Sequence, residues 1–219
     1  MAKVIIFGAG QIAEVIHHYL THESDHEVVA FTIDGPFIRE DKLFGLPVVP
    51  FETVESAFPP AEHDIFVAMS FKKLSRPRAE KLAAAEAKGY RAIGHISPRA
   101  VAPPGFTPKP NTFIMEHNTI QPFVEIGRDN IIWSGNHIGH HTTIGDHCFI
   151  ASHVVISGGV TIGDHCFLGV NATLRDNIAV GGHCVIGAGA LVLADAPEFS
   201  VFPGQATEIA KIRSDRLRW

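Results

Sequence analysis

The chain has 219 residues, 46% of them hydrophobic, and a formal charge of −5. It is long enough to bury a core as one large or two small domains, which argues against global disorder. Acidic and basic residues are mixed along its length with no basic stripe, which argues against nucleic acid as a partner.

In chain order, residues 3–7 (KVIIF) predict a buried strand, GAGQIAEVIHHYL a glycine turn opening into an amphipathic helix, and EVVAFTID a second strand. Gly8, Gly10 and Ala13 occupy the G-x-G-x-x-A places of a nucleotide fingerprint, and Asp34 ends the second strand where a ribose-binding acid is expected. A strand over 64–69 precedes a helix from about Arg76 to Lys88, which Gly89 caps. This domain, 1–98, is too short for both halves of a dinucleotide fold, so a mononucleotide moiety suits it better. Gly8, Gly10, Gln11 and Asp34 are its candidate substrate contacts. The N-terminus lacks the long apolar region and cleavage site of a signal peptide, and no window is long enough for a membrane span.

The proline-rich SPRAVAPPGFTPKP reads as a linker or first irregular coil, and a repeat follows. From Ile114 to Val192 every sixth residue is Ile, Leu or Val. The fifth place of each hexad from 142 onward is small or branched, as in Cys148, Cys166 and Cys184. Glycine recurs in the second place, at 127, 139, 145, 163, 169, 181 and 187, where a corner is expected to need backbone freedom. Alternation with a corner every six residues describes a parallel β-helix, and three hexads per coil make a triangular prism with eighteen residues per turn. The three cysteines then stack inside the prism as compact hydrophobes. His147, His165 and His183 form an outward ladder, and no metal is expected on either set. Three cysteines without an export signal point to a reducing, cytoplasmic setting rather than a disulfide framework. The β-helix is expected over 99–196, with 197–219 as a tail packing on it.

GAGQIA, followed by hexads such as IGHHTT, IGDHCF and LGVNAT and closed by FPGQATEIAK, resembles the hexapeptide-repeat sugar acyltransferases. Within them the chain is similar to bacterial nucleotide-sugar acyltransferases of the bacillosamine, perosamine and sialic acid types. The resemblance implies an α/β Rossmann-like domain followed by a left-handed parallel β-helix, an exception to the right-handed crossover rule. It also implies a homotrimer with active sites between neighbouring prisms, acetyl-coenzyme A as co-substrate, and a nucleotide-linked sugar held partly by the N-terminal domain.

By the same resemblance the catalytic histidine, counted back from Ile144, is His140. An imidazole suits a base that removes a proton as an amine or hydroxyl attacks a thioester, with a corner backbone N–H meeting the oxyanion. Where related enzymes carry an acid after that histidine this chain has His141, so the group orienting His140 is expected elsewhere, with Glu116, Glu125 and Asp146 the nearest acids in the repeat. Asn136, His137 and His141 are candidate substrate contacts. A second family histidine falls at Phe149, which with Gly169, Ala188 and Gly204 is a candidate coenzyme A contact.

Two other readings compete. A γ-carbonic-anhydrase-like metalloenzyme would need two histidines five apart, by its own family pattern, and the repeat has no such pair. A non-catalytic trimeric scaffold that senses a nucleotide sugar predicts nucleotide binding without coenzyme A.

Overall fold

A computed structural model describes residues 2–204 and 206–216. In the N-terminal domain the apolar runs form a sheet. The strands β1 (Lys3–Phe7), β2 (Glu27–Ile33), β3 (Lys42–Leu43), β4 (Leu46–Pro50) and β5 (His63–Val67) lie in the order β3-β4-β2-β1-β5, parallel except for the β3–β4 hairpin. Helix α1 (Gln11–Glu23) buries Ala13, Ile16 and Leu20. Helix α2 (Val54–Ala57) is a single turn, and α3 (Arg76–Ala87) buries Arg78, Leu82 and Ala85. The β3–β4 hairpin has no signal in the hydrophobic pattern, because Pro47 and Pro50 interrupt the second strand. Its turn is made by Phe44 and Gly45, both with positive φ.

The hexads fold as a left-handed β-helix of three sheets. Until the last coil each two-residue strand pairs in parallel with the strand eighteen residues on, as in Ile131↔Phe149 and Phe149↔Phe167; there the step shortens to sixteen, as in Val185↔Val201. The first sheet begins at His95–Ile96, which pairs with Phe113–Ile114, and ends at Val201–Phe202. The first-place aliphatics and the cysteines form one continuous interior cluster. Burying each such isoleucine contributes roughly 1.5–3 kcal/mol, so the stack carries much of the stability. Of the expected tail, Val201–Phe202 joins the first sheet and residues 206–216 are exposed throughout; 205 and 217–219 lie outside the described residues.

The corners differ from the expectation in one respect. The left-handed backbone falls at the fourth place of each hexad, not at the glycine-rich second place. Every fourth place from Asn111 to Gly189 has φ between 53° and 77°. Six of these places are histidines: His117, His141, His147, His153, His165 and His183; the others include Asn111, Asn171 and Asn177. His and Asn are among the few side chains that tolerate this conformation. The histidine repeat is therefore a corner device. The second-place glycines have ordinary φ and answer to coil stacking: a Cβ on Gly163 would stand 2.5 Å from the amide nitrogen of Gly182 in the next coil. On the surface, His147, His165 and His183 stack with ring centroids 4.6 and 5.0 Å apart.

The N-terminal domain covers the first sheet of the prism. Val4, Ile6, Ile16, Leu20 and Phe66 share a core with Phe113, Met115, Ile131 and Phe149. At its centre the fully buried Arg78 donates to Asp129 Oδ1 at 2.9 Å and to the carbonyls of Asp129 and Cys148 at 2.6 and 3.0 Å.

Candidate active site

His140 sits on the corner between the second sheet (His137–Ile138) and the third (Thr143–Ile144), opposite the face covered by the N-terminal domain. Its backbone N–H donates to Gln121 Oε1 at 2.8 Å, and its carbonyl accepts from Gly159 N at 2.8 Å. The exposed ring lies over the backbone of Gly158 in the next coil. Its Nδ1 is 3.1 Å from Nδ1 of His141, whose ring stacks on Phe123 at 4.6 Å. Among the described residues Nε2 of His140 has no hydrogen-bond partner, so it is the nitrogen open to a substrate.

The acids considered as orienting groups are engaged elsewhere or free. Glu116 accepts from the Tyr19 hydroxyl, which burial and Glu116 push up to about 12. Asp146 accepts from Arg128 N at 2.8 Å, and Glu125 is exposed on its strand. Among the described residues none of them bonds His140.

His141 shares the His140 corner, and His137 lies on the adjoining strand of the second sheet; Asn136 and Phe149 do not reach the corner. Asn136 is 1% exposed and inward-facing, in the same place as the cysteines. Its amide accepts from Val154 N at 2.7 Å and donates to the Trp133 carbonyl at 2.5 Å, which leaves it a structural part of the coil rather than a substrate contact. Phe149 points outward from the first sheet and is buried against Phe71, at 5.1 Å, and Trp133, at 6.3 Å. Its hydrophobic ring fills the domain junction instead of facing a ligand.

A second concavity, about 650 Å³, opens at the carboxyl ends of the N-terminal strands. Gly8, Gly10 and Asp34 line it, whereas Gln11 does not. Gly8 has φ +128°, and a Cβ there would meet the Ala68 carbonyl oxygen at 2.7 Å, so only glycine makes this turn. Gly10 caps α1 with no side-chain bond, which leaves first-turn N–H groups able to receive an anion. Asp34 is held by Lys81 Nζ at 2.6 Å, and Arg39, Lys42 and Lys72 add cations to the rim. The motif pointed to the glycines. Arg39 and Lys72 lie in loops and Lys42 on the short strand β3, none of them in a motif, and they become visible only when the sheet gathers them.

Gly169, Ala188 and Gly204 come together on successive coils. A Cβ on Gly169 would be 2.6 Å from Ala188 N, and one on Gly204 2.5 Å from the Ala188 carbonyl oxygen. The row presents backbone with almost no side chain. Among the described residues no group of three or more His, Cys, Asp or Glu side chains is placed to hold a metal ion.

The bacterial transferase hexapeptide family matches residues 125–158, and the hexapeptide repeat of succinyl-transferase matches residues 159–194. No curated protein sequence gives a significant match. Among solved structures, the chain superposes on perosamine N-acetyltransferase from Caulobacter crescentus, solved with CoA and GDP-perosamine, with a TM-score of 0.81 and 25% identity over 93% of this chain and 94% of that one. The chain is thus similar over nearly its whole length to a nucleotide-sugar N-acetyltransferase, and its prism carries the hexapeptide repeats of transferases. The acetyltransferase domain of PglB from Neisseria gonorrhoeae shares the fold at TM-score 0.78 and 22% identity, covering 93% of this chain and 97% of that one. WeeI from Acinetobacter baumannii shares it at 0.57 and 17%, with the same coverage.

The prism carries an imidazole with one open nitrogen, and the α/β domain a glycine-floored cleft lined by Arg39, Lys42 and Lys72 together with Glu14, Asp34 and Glu40. One chain holds the two on opposite sides of the prism. The sequence missed Gln121 and Gly158, which fix His140 from the coils before and after it. Their only signal is position, about one turn of eighteen residues either side.

Proposed function

We propose that the protein transfers an acetyl group from acetyl-coenzyme A to an amino, or hydroxyl, group of a nucleotide-linked sugar, with Nε2 of His140 as general base. The carrying observation is His140 itself: its backbone is held by Gln121, its Nδ1 is engaged, and its Nε2 is open on the corner of a transferase prism. The sugar nitrogen attacks the thioester carbonyl carbon and its proton passes to Nε2. The tetrahedral intermediate then expels the coenzyme A thiolate, which needs little acid help, and the imidazolium returns its proton to the thiolate or to water. No covalent enzyme intermediate is required.

The cleft over Gly8, Gly10 and Asp34 receives the nucleotide, its phosphates near the start of α1 and the Arg39, Lys42 and Lys72 cations. The bare row at Gly169, Ala188 and Gly204 lets coenzyme A lie against backbone. Because His140 and the cleft are on opposite sides of one prism, the reading calls for a homotrimer in which one subunit's cleft faces another's His140 corner. Among the described residues no helix is long and apolar enough to cross a membrane.

The test follows thiol release from acetyl-coenzyme A against UDP-, dTDP- and GDP-linked 4-amino sugars, with coenzyme A binding measured in parallel. Turnover on one of them names the acceptor. Coenzyme A that neither binds nor turns over with any sugar contradicts the proposal, and nucleotide binding alone then returns the scaffold.

A further inference from the structure

We infer that His141 is the positioning residue for His140, an imidazole standing where related enzymes carry an acid. The inference rests on the reading of His140 as base. The two Nδ1 atoms are 3.1 Å apart with the rings at 85°, so one nitrogen donates and the other accepts. If His140 donates from Nδ1, its Nε2 holds the lone pair that takes the substrate's proton. If His141 donates, His140 carries its proton on Nε2 and cannot act as base. The hydrogen bond thus couples the tautomers of the two rings, and the inference is that His141 accepts. When His140 becomes imidazolium, the same bond is charge-assisted and strengthens.

His141 is held for this task. It occupies a left-handed corner, φ 59°, its N–H donates to the Pro122 carbonyl at 3.3 Å, and Phe123 stacks on its ring. His140 faces Gln121 at its backbone and the Gly158 backbone beneath its ring. Among the described residues no carboxylate, ammonium or guanidinium group bonds either imidazole, and Glu125 stands exposed on the strand that pairs with Thr143.

The fold supplies its own control substitutions. The same corner is Gly159 one coil on and Asn177 two coils on, both with positive φ, so glycine and asparagine fit position 141 without strain. Asn Oδ1 can accept where His Nδ1 accepts; glycine cannot. With GDP-perosamine, or whichever panel sugar turns over, His141→Gly should lower kcat about tenfold or more with KM little changed. His141→Asn should recover most of that loss. His141→Asp should keep turnover while moving the acid limb of the pH–rate profile to higher pH, because a carboxylate favours the imidazolium of His140.

A readout independent of turnover is the tautomer of His140 by long-range proton–nitrogen NMR correlation. The Nδ1–H form should dominate in wild type and in His141→Asn, and give way to the Nε2–H form in His141→Gly. A tautomer that stays the same in all three, or a glycine variant as active as wild type, overturns the inference. If His140→Ala is fully active, it is the base assignment that fails instead.

Discussion

Gly158 supports the ring of His140 from the coil above: a Cβ built on Gly158 would stand 2.6 Å from Cε1 and 2.7 Å from Nε2. Gly158→Ala should therefore push the imidazole off its seat. The clash is with the end of a movable side chain, so the fold should lose less than about 1 kcal/mol. Because a misplacement of about 1 Å can cost catalysis up to about a hundredfold, kcat should fall about tenfold or more. Paired urea denaturation and steady-state kinetics check the split.

Arg78 and Asp129, both 0% exposed at their side chains, tie α3 to the prism. Removing Arg78 leaves the buried Asp129 with only Asn111 and His147 as partners and orphans the carbonyls that Arg78 serves. Arg78→Ala should cost about 3–5 kcal/mol, read as a lowered urea midpoint. An unchanged midpoint would show that the junction is held by its apolar contacts alone.

The three thiols should be inert. Cys148, Cys166 and Cys184 are buried in the coil stack. The hydrogen bond with Cys166 and burial push the Cys148 thiol up, burial does the same for Cys184, and the bond with Cys148 draws Cys166 down, so that Cys166 is protected by burial alone. A thiol-specific reagent at pH 8 should label none of them in the native protein and all three in denaturant. Rapid native labelling would place a thiol at the surface.

His95 gives the fold a pH dependence. Burial against Phe113 pulls its pKa from 6.5 to about 4. Above the unfolded value both states hold it neutral and stability is full. As pH falls from about 6.5 to about 4 the unfolded chain takes up the proton first, so stability declines, by a total on the order of 3 kcal/mol from this group. The urea midpoint of the wild type, measured relative to that of His95→Leu, should fall as pH is lowered across that range. Parallel curves would mean that His95 titrates normally in the fold.

The prism was legible because its rule is one-dimensional. An aliphatic residue every six places implies stacking and register, and Ile131↔Phe149 pairs eighteen residues apart as that rule requires. The same regularity hid the cause of the histidine repeat. His147 and Gly145 both mark the corner, but φ separates the left-handed place from the tightly stacked one, and φ is not written in composition. At the site, the glycine motif led to the cleft that Gly8 and Asp34 line, and the family likeness to a histidine exposed on a corner. Asn136 and Phe149 are buried, because residues near His140 in sequence can point into the prism or onto another face. The His140–His141 bond depends on ring orientation, which no spacing encodes.

The most direct test of the central claim compares kcat for wild type and His140→Ala on the sugar acceptor that turns over. The account predicts a fall of about a hundredfold or more with KM for acetyl-coenzyme A retained, the scale expected for losing a general base. A variant that turns over at the wild-type rate would contradict His140 as the base and leave the prism without an assigned catalyst.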